Sequence, residues 1–402
     1  MTREGSELDN LALNVLIGYC FEVLHHAVAR PNPRQELMFM PLTDQDILDQ
    51  LRKVNDPELH RDLVTLNMVK QATCKDGHVQ IEIELTTPAC PMKAEIESDV
   101  RQAIEQLGDE VRQVDVAFSA NVRAAPGQAK ASESNPLPDV KHIVAVGAGK
   151  GGVGKSTVAV NVAVGLARLG SQVGLLDGDI YGPSLPTMMG IRGRELTAQG
   201  NMMVPFEVHG IKTITIGALT EDEKPLIWRG PMAHGAFRDL ATRTLWGSLD
   251  YLVIDLPPGT GDVPLTMSQL LPLTGAVVVC TPQRVAQDDA RRAVRMFQQL
   301  NVEVLGIVEN MSYFIGDDGT EYDIFGRGGA EVMARELDVP FLGGVPINMA
   351  LRANCDEGNP LANFGPDGPL GRELESVVKN LAGQISIHTM SGASPQPTIS
   401  LS

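Results

Sequence analysis

Cysteine is scarce in this chain, and so are long apolar runs. The 402 residues include five cysteines and no C-x-x-C pair. Five scattered cysteines are too few for a disulfide framework, which favours a reducing, cytoplasmic compartment. The apolar stretch at residues 11–29 is interrupted by polar side chains and has neither a basic n-region nor a cleavage signal. A signal peptide or a membrane span is therefore not expected.

Positive charge is also in deficit. Lysine and arginine number 33 against 50 aspartates and glutamates, which gives a formal net charge of -17. Nucleic acid is therefore not an expected partner. The polar tail from Ser386 contains no basic amphipathic helix that would bind a membrane surface. No histidine-rich tract is present, which argues against a protein that inserts nickel into enzymes.

Residues 140–170 organise the chain. Val140 to Gly147 is an apolar stretch that predicts a buried strand, and the segment from Lys155 onward has apolar residues at helical spacing. The motif between them, Gly-x-x-x-x-Gly-Lys-Ser, has the strand, turn and helix context of a phosphate-binding loop. The nucleotide-binding candidates are Gly149, Lys150, Gly151, Gly152, Val153, Gly154, Lys155, Ser156 and Thr157.

The chemistry of this loop indicates ATP and Mg2+ as ligands. Its glycines let backbone N–H groups turn inward around phosphates. Lys155 supplies a positive charge near the outer phosphates, and the Ser156 hydroxyl can hold Mg2+.

Lys150 is a second lysine in a loop whose ordinary form needs one. With Lys155 on the phosphates, Lys150 is available to reach the nucleotide of another subunit. The loop resembles the deviant Walker A motif of nucleotide-sandwich ATPases, which include the Min and Par proteins, the nitrogenase iron protein and the Mrp carriers. That resemblance implies a homodimer in which Lys150 acts across the interface, as an arginine finger does. A solvated surface lysine is the alternative.

Three aspartates lie at the ends of apolar segments. Asp177 and Asp179 follow one such segment, and Asp255 ends another in the Walker B pattern. Carboxylates at the C-terminal ends of parallel strands, beside a phosphate loop, lie where metal and attacking water must be placed. We therefore expect Asp177 and Asp179 to organise water and metal, with turn formation as the alternative, and Asp255 to hold Mg2+ through a water.

Strands and helices alternate after the phosphate loop. This order predicts an α/β fold with a doubly wound, mostly parallel P-loop NTPase sheet, preceded by a small α/β domain. The linker between them is expected to let the two domains reorient. The expected boundaries are an N-terminal extension of uncertain role at 1–40, the small domain at 41–121, a flexible linker at 122–139, the ATPase domain at 140–385 and a disordered tail at 386–402.

The small domain contains a cysteine in a Cys-Pro turn. The tripeptide Asp56-Pro57-Glu58, the strand at 79–85 and the turn Thr86-Thr87-Pro88-Ala89-Cys90-Pro91 resemble the PaaD-like domain of iron-sulfur assembly proteins. In that family the cysteine of the C-P turn is reactive or touches metal, which implies that role for Cys90. A helix predicted just after Cys90 is expected to lower its thiol pKa. The alternative is a small buried apolar side chain.

Six motifs occur in one order along the ATPase segment: GKGGVGKST, DGDIYGPS, WRGPM, WGSLDYLVIDLPPGTGD, TPQ and ENMSYF. Together with the small domain they are similar to the Mrp family of ATP-binding iron-sulfur cluster carriers, over about residues 42–385. The resemblance implies an ATPase that carries clusters, and it implies that Asn310 contacts adenine.

One segment departs from that family. Many members carry a C-x-x-C pair after Ser-Tyr-Phe, and the pairs of two protomers bind one [4Fe-4S] cluster; this chain has Gly316 and Gly319 there. Glycine offers no sulfur ligand. Three alternatives remain: binding by Cys90 with Cys355 or Cys280, transient binding through the small domain, or ATPase switching without cargo. Cys355, expected on a surface loop, is the better second ligand, because Cys280 is expected in the core.

The sequence therefore predicts a cytoplasmic, homodimeric ATPase with slow, switch-like turnover that carries or helps to assemble iron-sulfur clusters. Its expected partners are apo iron-sulfur proteins and the cluster assembly machinery. The rival is a Min- or Par-like positioning ATPase, which needs a membrane-binding helix or a basic DNA-binding surface.

Overall fold

The computed structural model describes residues 42–108, 110–124, 135–179, 182–218, 230–259, 270–316, 318–365 and 368–391. The predicted N-terminal extension, most of the predicted linker and the end of the predicted tail lie outside these residues. From Asp44 onward the described residues belong to one compact unit. No helix among them has the length and apolar character needed to span a membrane.

The small domain is a three-stranded sheet with two helices. Its central strand alternates buried apolar and more exposed polar residues, as its sequence predicts. This strand pairs antiparallel with the first strand and parallel with the third. The elements in chain order are α1 (Asp44–Leu51), β1 (Val69–Lys75), β2 (His78–Leu85), α2 (Lys93–Glu105) and β3 (Gln113–Ala120).

The large domain begins with the predicted strand, loop and helix and continues through short strands and turns. Its first half contains β4 (Val140–Gly147), α3 (Lys155–Arg168), β5 (Val173–Asp177), α4 (Leu185–Met188), β6 (Thr197–Gln199), β7 (Met202–Val204), β8 (Phe206–Val208), β9 (Ile211–Ile214) and a 3-10 turn at Ile216–Ala218. Strands β6 and β7 form a separate two-stranded hairpin.

The second half of the large domain completes the sheet and covers both of its faces. Its elements are α5 (Gly230–Thr242), β10 (Leu249–Asp255), β11 (Gly275–Cys280), α6 (Arg284–Gln299), β12 (Val304–Ile315), β13 (Glu321–Tyr322), α7 (Gly329–Glu336), β14 (Phe341–Ile347), α8 (Met349–Asp356), a 3-10 turn at Pro360–Phe364 and α9 (Pro369–Ser391).

The described strands of the large sheet run in the order β13-β12-β11-β4-β10-β5-β9-β8, with β14 also paired to β12. Every pairing is parallel except those of β13 and β8. Helices α3, α8 and α9 contribute to the apolar core on one face, and α5, α6 and α7 to the core on the other. The predicted doubly wound, mostly parallel sheet is confirmed.

The last helix corrects one predicted boundary. The tail was expected to begin at Ser386, but α9 continues to Ser391, and Ser386 and Thr389 are buried. Both hydroxyls donate to the carbonyl four residues earlier, Ser386 to Ala382 at 3.0 Å and Thr389 to Ile385 at 2.7 Å. Polar side chains can continue a buried helix when their hydroxyls are satisfied in this way.

Candidate functional site

The phosphate loop follows β4 and ends where α3 begins. Gly152 and Gly154 have φ angles of 82° and 81°, in the left-handed region that glycine adopts without steric cost. A Cβ on Gly149 would lie 2.1 Å from the carbonyl O of Asp289, at helix α6. Three of the motif's glycines are therefore required by the backbone of this loop and by its packing.

Asn310 stabilises the loop from β12. Its Nδ2 donates to the carbonyl O of Val153 at 2.8 Å, and the side chain is buried. A Cβ at Gly154 would lie 2.0 Å from this Nδ2, so a side chain at position 154 would displace the Asn310 amide from the loop. The predicted contact between Asn310 and adenine stays a prediction; the amide N–H contact seen here is with the loop.

The Lys155 ammonium lies among carboxylates. Its Nζ is 2.5 Å from Asp255 Oδ1 and 3.8 Å from Asp179 Oδ2, and it donates to Ser156 Oγ at 3.3 Å. The Lys155 side chain is 6% exposed and that of Asp255 0%. Burial raises the pKa of Asp255, and the Lys155 charge opposes that rise. Because this ion pair is deeply buried, removing either partner would strongly destabilise the fold.

Asp177 lies beside this pair at the end of β5. Thr215 Oγ1 donates to Asp177 Oδ2 at 2.8 Å, and the Asp179 amide donates to Asp177 Oδ1 at 3.2 Å. Burial, and then the negative charge of Asp255, raise the pKa of Asp177 to about 7. The strand register places Asp177 directly opposite Asp255. The structure thus brings together Lys155, Ser156 and all three predicted aspartates.

The donor set suits Mg2+. Asp255 Oδ2 is buried and has no hydrogen-bond partner among the described residues, so it can accept a metal-bound water. Mg2+ is usually held by one or two carboxylates, a hydroxyl, phosphate oxygens and waters rather than by an all-protein cage. Ser156 and Asp255 can provide such a partial set. Among the described residues, no group of three or more His, Cys, Asp or Glu side chains is placed to hold a metal ion.

Lys150 is exposed at the surface of the phosphate loop, while Lys155 is buried. The two lysines of the motif therefore occupy different environments five residues apart. An exposed side chain in this place can reach a second molecule.

Two residues of this region were not singled out in the sequence. Thr215 follows β9 and bonds Asp177, and a polar residue directly after an apolar strand was the available signal. Glu309 is buried in β12 and accepts hydrogen bonds from the amides of Gly328 and Ala330, both at 2.8 Å, at the start of α7. A carboxylate is favourable at a helix N-terminus, but only the tertiary structure brings that terminus to Glu309.

Cys90 lies in the predicted turn before a helix, but its thiol is less acidic than the sequence predicts. Its turn precedes α2, which begins at Lys93. Burial, followed by the negative charges of Glu58 and Asp56, raises the pKa of the Cys90 thiol to about 11, although backbone amides of Met92 and Lys93 act in the opposite direction. The expected low thiol pKa is therefore wrong, because burial and nearby carboxylates outweigh the helix terminus.

Cys355 is also placed differently from the expectation. It lies in α8 and is 5% exposed, so the predicted surface loop is wrong. Asn363 Nδ2 donates to its sulfur at 3.7 Å, and burial raises the pKa of the thiol. The residue stays out of water because its helix packs this face into the apolar core. Cys280 is buried in β11, as predicted for a core residue.

The turn between β12 and β13 is formed around its glycines. Gly316 N donates to Thr320 O and Gly319 N donates to Gly316 O, both at 2.9 Å, and Gly319 has a φ of 78°. A Cβ at Gly316 would lie 2.9 Å from both the Asp318 carboxylate and the Tyr322 ring. The position at which the family resemblance implies a C-x-x-C pair is a turn in this chain, and the left-handed φ of Gly319 favours glycine there.

A doubly wound sheet with a phosphate loop, a loop lysine and carboxylates at neighbouring strand ends defines a P-loop NTPase. The comparisons with known proteins agree with this class. The chain belongs to the family described as NUBPL iron-transfer P-loop NTPase, whose model matches residues 139–382. A second model, described as iron-sulfur cluster assembly protein, matches residues 44–116. The family expected from the motifs, ATPase and small domain together, is thereby confirmed.

The chain matches nearly the whole length of two curated relatives. The iron-sulfur cluster carrier protein of Deinococcus radiodurans is 49% identical over 347 residues, which cover 86% of this chain and 96% of the relative. That of Synechocystis is 46% identical over 352 residues, covering 86% and 99%. A solved nucleotide-binding protein from Archaeoglobus fulgidus, in complex with ADP, is 38% identical with a TM-score of 0.52, covering 58% of this chain and 92% of that one.

Proposed function

We propose that this protein is a homodimeric ATPase whose nucleotide cycle gates the binding of iron-sulfur clusters and their transfer to apoproteins in the cytoplasm. The observation that carries the proposal is the buried Lys155–Asp255 pair beside a phosphate loop, in a chain whose relatives are named iron-sulfur cluster carriers. The cluster is cargo in this scheme, and ATP is the substrate of the chemical step.

The chain's own residues bind and orient ATP in the following way. Backbone amides of the phosphate loop bind the phosphates, and the Lys155 ammonium exchanges its contact with Asp255 for the outer phosphates. Ser156, and Asp255 through a water, would hold Mg2+, which when bound would neutralise charge on the phosphate oxygens. Asp179 orients the attacking water, and Asp177 fixes Asp179 through its backbone amide. Positioning and electrostatics supply the rate enhancement.

Lys150 supplies the missing charge to the partner's nucleotide. An exposed lysine on the rim of the loop can cross a dimer interface, whereas Lys155 is committed to its own site. Closure of two protomers on ATP would then be required for hydrolysis, which makes turnover slow and couples it to the dimer state.

Cys90 is the candidate that receives the cluster. It is half-buried in a turn of the small domain, while Cys355 and Cys280 are buried in the large domain. Among the described residues Cys74 and Cys90 are the half-buried thiols, and neither lies in a C-x-x-C pair. So few accessible thiols favour transient, shared binding over a permanent cluster, because clusters require several sulfur ligands. Apo iron-sulfur proteins and the assembly machinery would complete the ligand set during transfer.

Anaerobic reconstitution with iron and sulfide tests the cargo assignment. We expect the Cys90→Ser variant to lose most bound iron and the Cys355→Ser variant, as the matched buried-thiol control, to retain it. Iron content and the visible absorption of the cluster give the answer. Equal iron in the parent and both variants would refute the role of Cys90, and no iron in any of them would favour an ATPase without stable cargo.

A further inference from the structure

The turn that carries Cys90 is hydrogen-bonded to the last helix of the large domain. Thr86 Oγ1 donates to Ser386 Oγ at 3.1 Å, and Ser386 Oγ donates in turn to the carbonyl O of Ala382 at 3.0 Å. Residue 86 is four positions before Cys90, and residues 382 and 386 lie on one face of α9. The start of the turn is therefore joined to α9 by one hydroxyl contact, and the Ser386 hydroxyl is held in place by a second hydrogen bond within the helix.

The next residue of the turn is bound to the large sheet. The Tyr251 hydroxyl, from β10, donates to Thr87 Oγ1 at 3.1 Å. The same oxygen accepts the backbone N–H of Ala89 at 3.2 Å, which closes the turn directly before Cys90. Tyr251, Thr87 and Ala89 are each 1% exposed. Buried hydroxyls of this kind cost free energy when they lose their partners, so the contact resists separation of the two domains.

The Asp56-Pro57-Glu58 segment also packs against α9. A Cβ on Gly383 would lie 2.4 Å from Glu58 Oε1, so the carboxyl group of Glu58 occupies the space that a side chain would take. Ala89 itself belongs to the apolar core formed with α3 and α9. Pro88 lies against the far end of α3, where a Cβ at Gly170 would be 3.7 Å from it.

These contacts lie far from the phosphate loop. Tyr251 is four residues before Asp255 on β10, which corresponds to about 13 Å along the strand. Gly170 follows the C-terminus of α3, and the phosphate loop precedes its N-terminus, a separation of about 20 Å along the helix. The Cys90 turn and the candidate nucleotide site thus contact opposite ends of the same strand and the same helix.

We propose that the small domain is docked on the ATPase domain rather than freely tethered, and that Tyr251, Gly383 and Ser386 are positioning residues for the Cys90 turn. They hold the thiol at the end of β10 opposite Asp255, so cargo on Cys90 does not touch the nucleotide of its own chain. The docking is independent of what Cys90 binds; only its consequence for cargo rests on the proposed function.

Alkylation of individual cysteines, followed by peptide mass spectrometry, tests the docking in the full-length chain. The triple variant Tyr251→Phe/Gly383→Ala/Ser386→Ala removes the hydroxyls that bond Thr87 and Thr86, and its alanine at position 383 fills the space used by Glu58. We expect alkylation of Cys90 to become about tenfold faster, because the thiol gains access to water and to the reagent. The matched control is Gly235→Ala, a helical glycine in α5 with open space around it.

The other cysteines separate docking from global stability. Cys74 is partly exposed on β1, while Cys280 and Cys355 are buried. If docking holds, only Cys90 reacts faster in the triple variant, and ATP hydrolysis stays at the parent rate. Unchanged Cys90 reactivity, or a parallel acceleration at Cys280 and Cys355, would overturn the proposal. If the triple variant does not fold, the double variant Tyr251→Phe/Ser386→Ala is measured in the same way against the same criteria.

Discussion

The charge balance of the candidate nucleotide site depends on Lys155. Its ammonium is the cation closest to Asp255, which lies opposite Asp177 with both carboxylates buried. Removing one partner of a buried pair leaves an uncompensated charge, which typically costs about 3–5 kcal/mol. The residue proposed to bind phosphate is therefore also expected to support the fold before nucleotide binds.

The Lys155→Ala variant should lose nucleotide binding and should also melt at a lower temperature without nucleotide. We expect a loss of about 3 kcal/mol in the free energy of unfolding, measured by chemical denaturation. Adding Asp255→Asn to this variant should recover part of that loss, because the unpaired buried charge is then gone. Parent-like stability of Lys155→Ala would show that the Lys155–Asp255 pair contributes nothing to folding.

Glu58 gives a pH dependence with a defined sign. Burial, and then the charge of Asp56, raise the pKa of Glu58 from its ordinary value of 4.5 to about 7. The folded state therefore holds the proton more tightly than the unfolded chain, so the contribution is fully present below about pH 4.5 and is lost as pH rises through about 7. Ionised Glu58 destabilises the folded protein because its charge is poorly solvated.

The Glu58→Gln variant should lose this part of the pH dependence. We expect its free energy of unfolding to fall less steeply than that of the parent between pH 5 and pH 8, with the largest relative gain at pH 8. Urea denaturation at four pH values across that range measures the slopes. Parallel slopes in parent and variant would mean that Glu58 titrates normally in the folded chain.

At the scale of elements, the backbone conformation of the turn between β12 and β13 favours glycine. Replacing its two glycines by cysteine would therefore change the backbone as well as the side chains. The turn uses a left-handed residue at Gly319, and a Cβ at Gly316 would require the side chains of Asp318 and Tyr322 to shift. A thiol-bearing loop would need another backbone path, because a non-glycine residue in the left-handed region costs roughly 1–2 kcal/mol.

Placing cysteines in this turn should therefore destabilise it. We expect Gly316→Cys/Gly319→Cys to lower the free energy of unfolding by about 2 kcal/mol. Gly319→Asn serves as the control and should cost less, because asparagine tolerates the left-handed region. Thermal melting compares the variants. A double-cysteine variant with parent stability and a bound cluster would show that the turn adapts readily to the thiols.

At the scale of the whole molecule, the proposed homodimer makes the two loop lysines act in different subunits. Lys150→Ala should bind ATP but lose hydrolysis by roughly a thousandfold, the scale of an arginine finger. Lys155→Ala should fail to bind ATP but still present its Lys150. The two inactive variants are therefore expected to complement each other.

Mixing the two variants tests this division of labour. Random pairing of equal amounts makes half of the dimers mixed, each with one competent site of two, so hydrolysis should return to about a quarter of the parent rate. Steady-state phosphate release across mixing ratios measures it, and each variant alone is the control. A mixture as inactive as its components would exclude a trans role for Lys150.

The sequence by itself determined the nucleotide half of this protein. Strand periodicity, glycine spacing and strand-end aspartates are local patterns, and they predicted the sheet type, the phosphate loop and the aspartates found together with Lys155. The family followed from six motifs in order. These features were predictable because each depends on residues close in the chain or on the common edge of a parallel sheet.

Only the tertiary structure decided how the thiols are placed and how the domains meet. The burial that raises the pKa of Cys90, the helix that covers Cys355 and the extension of α9 to Ser391 all depend on segments distant in sequence. Tyr251 and Thr87 are 164 positions apart, and Thr86 and Ser386 are 300 apart. Burial and docking are sums over such long-range neighbours, which no local pattern of residues encodes.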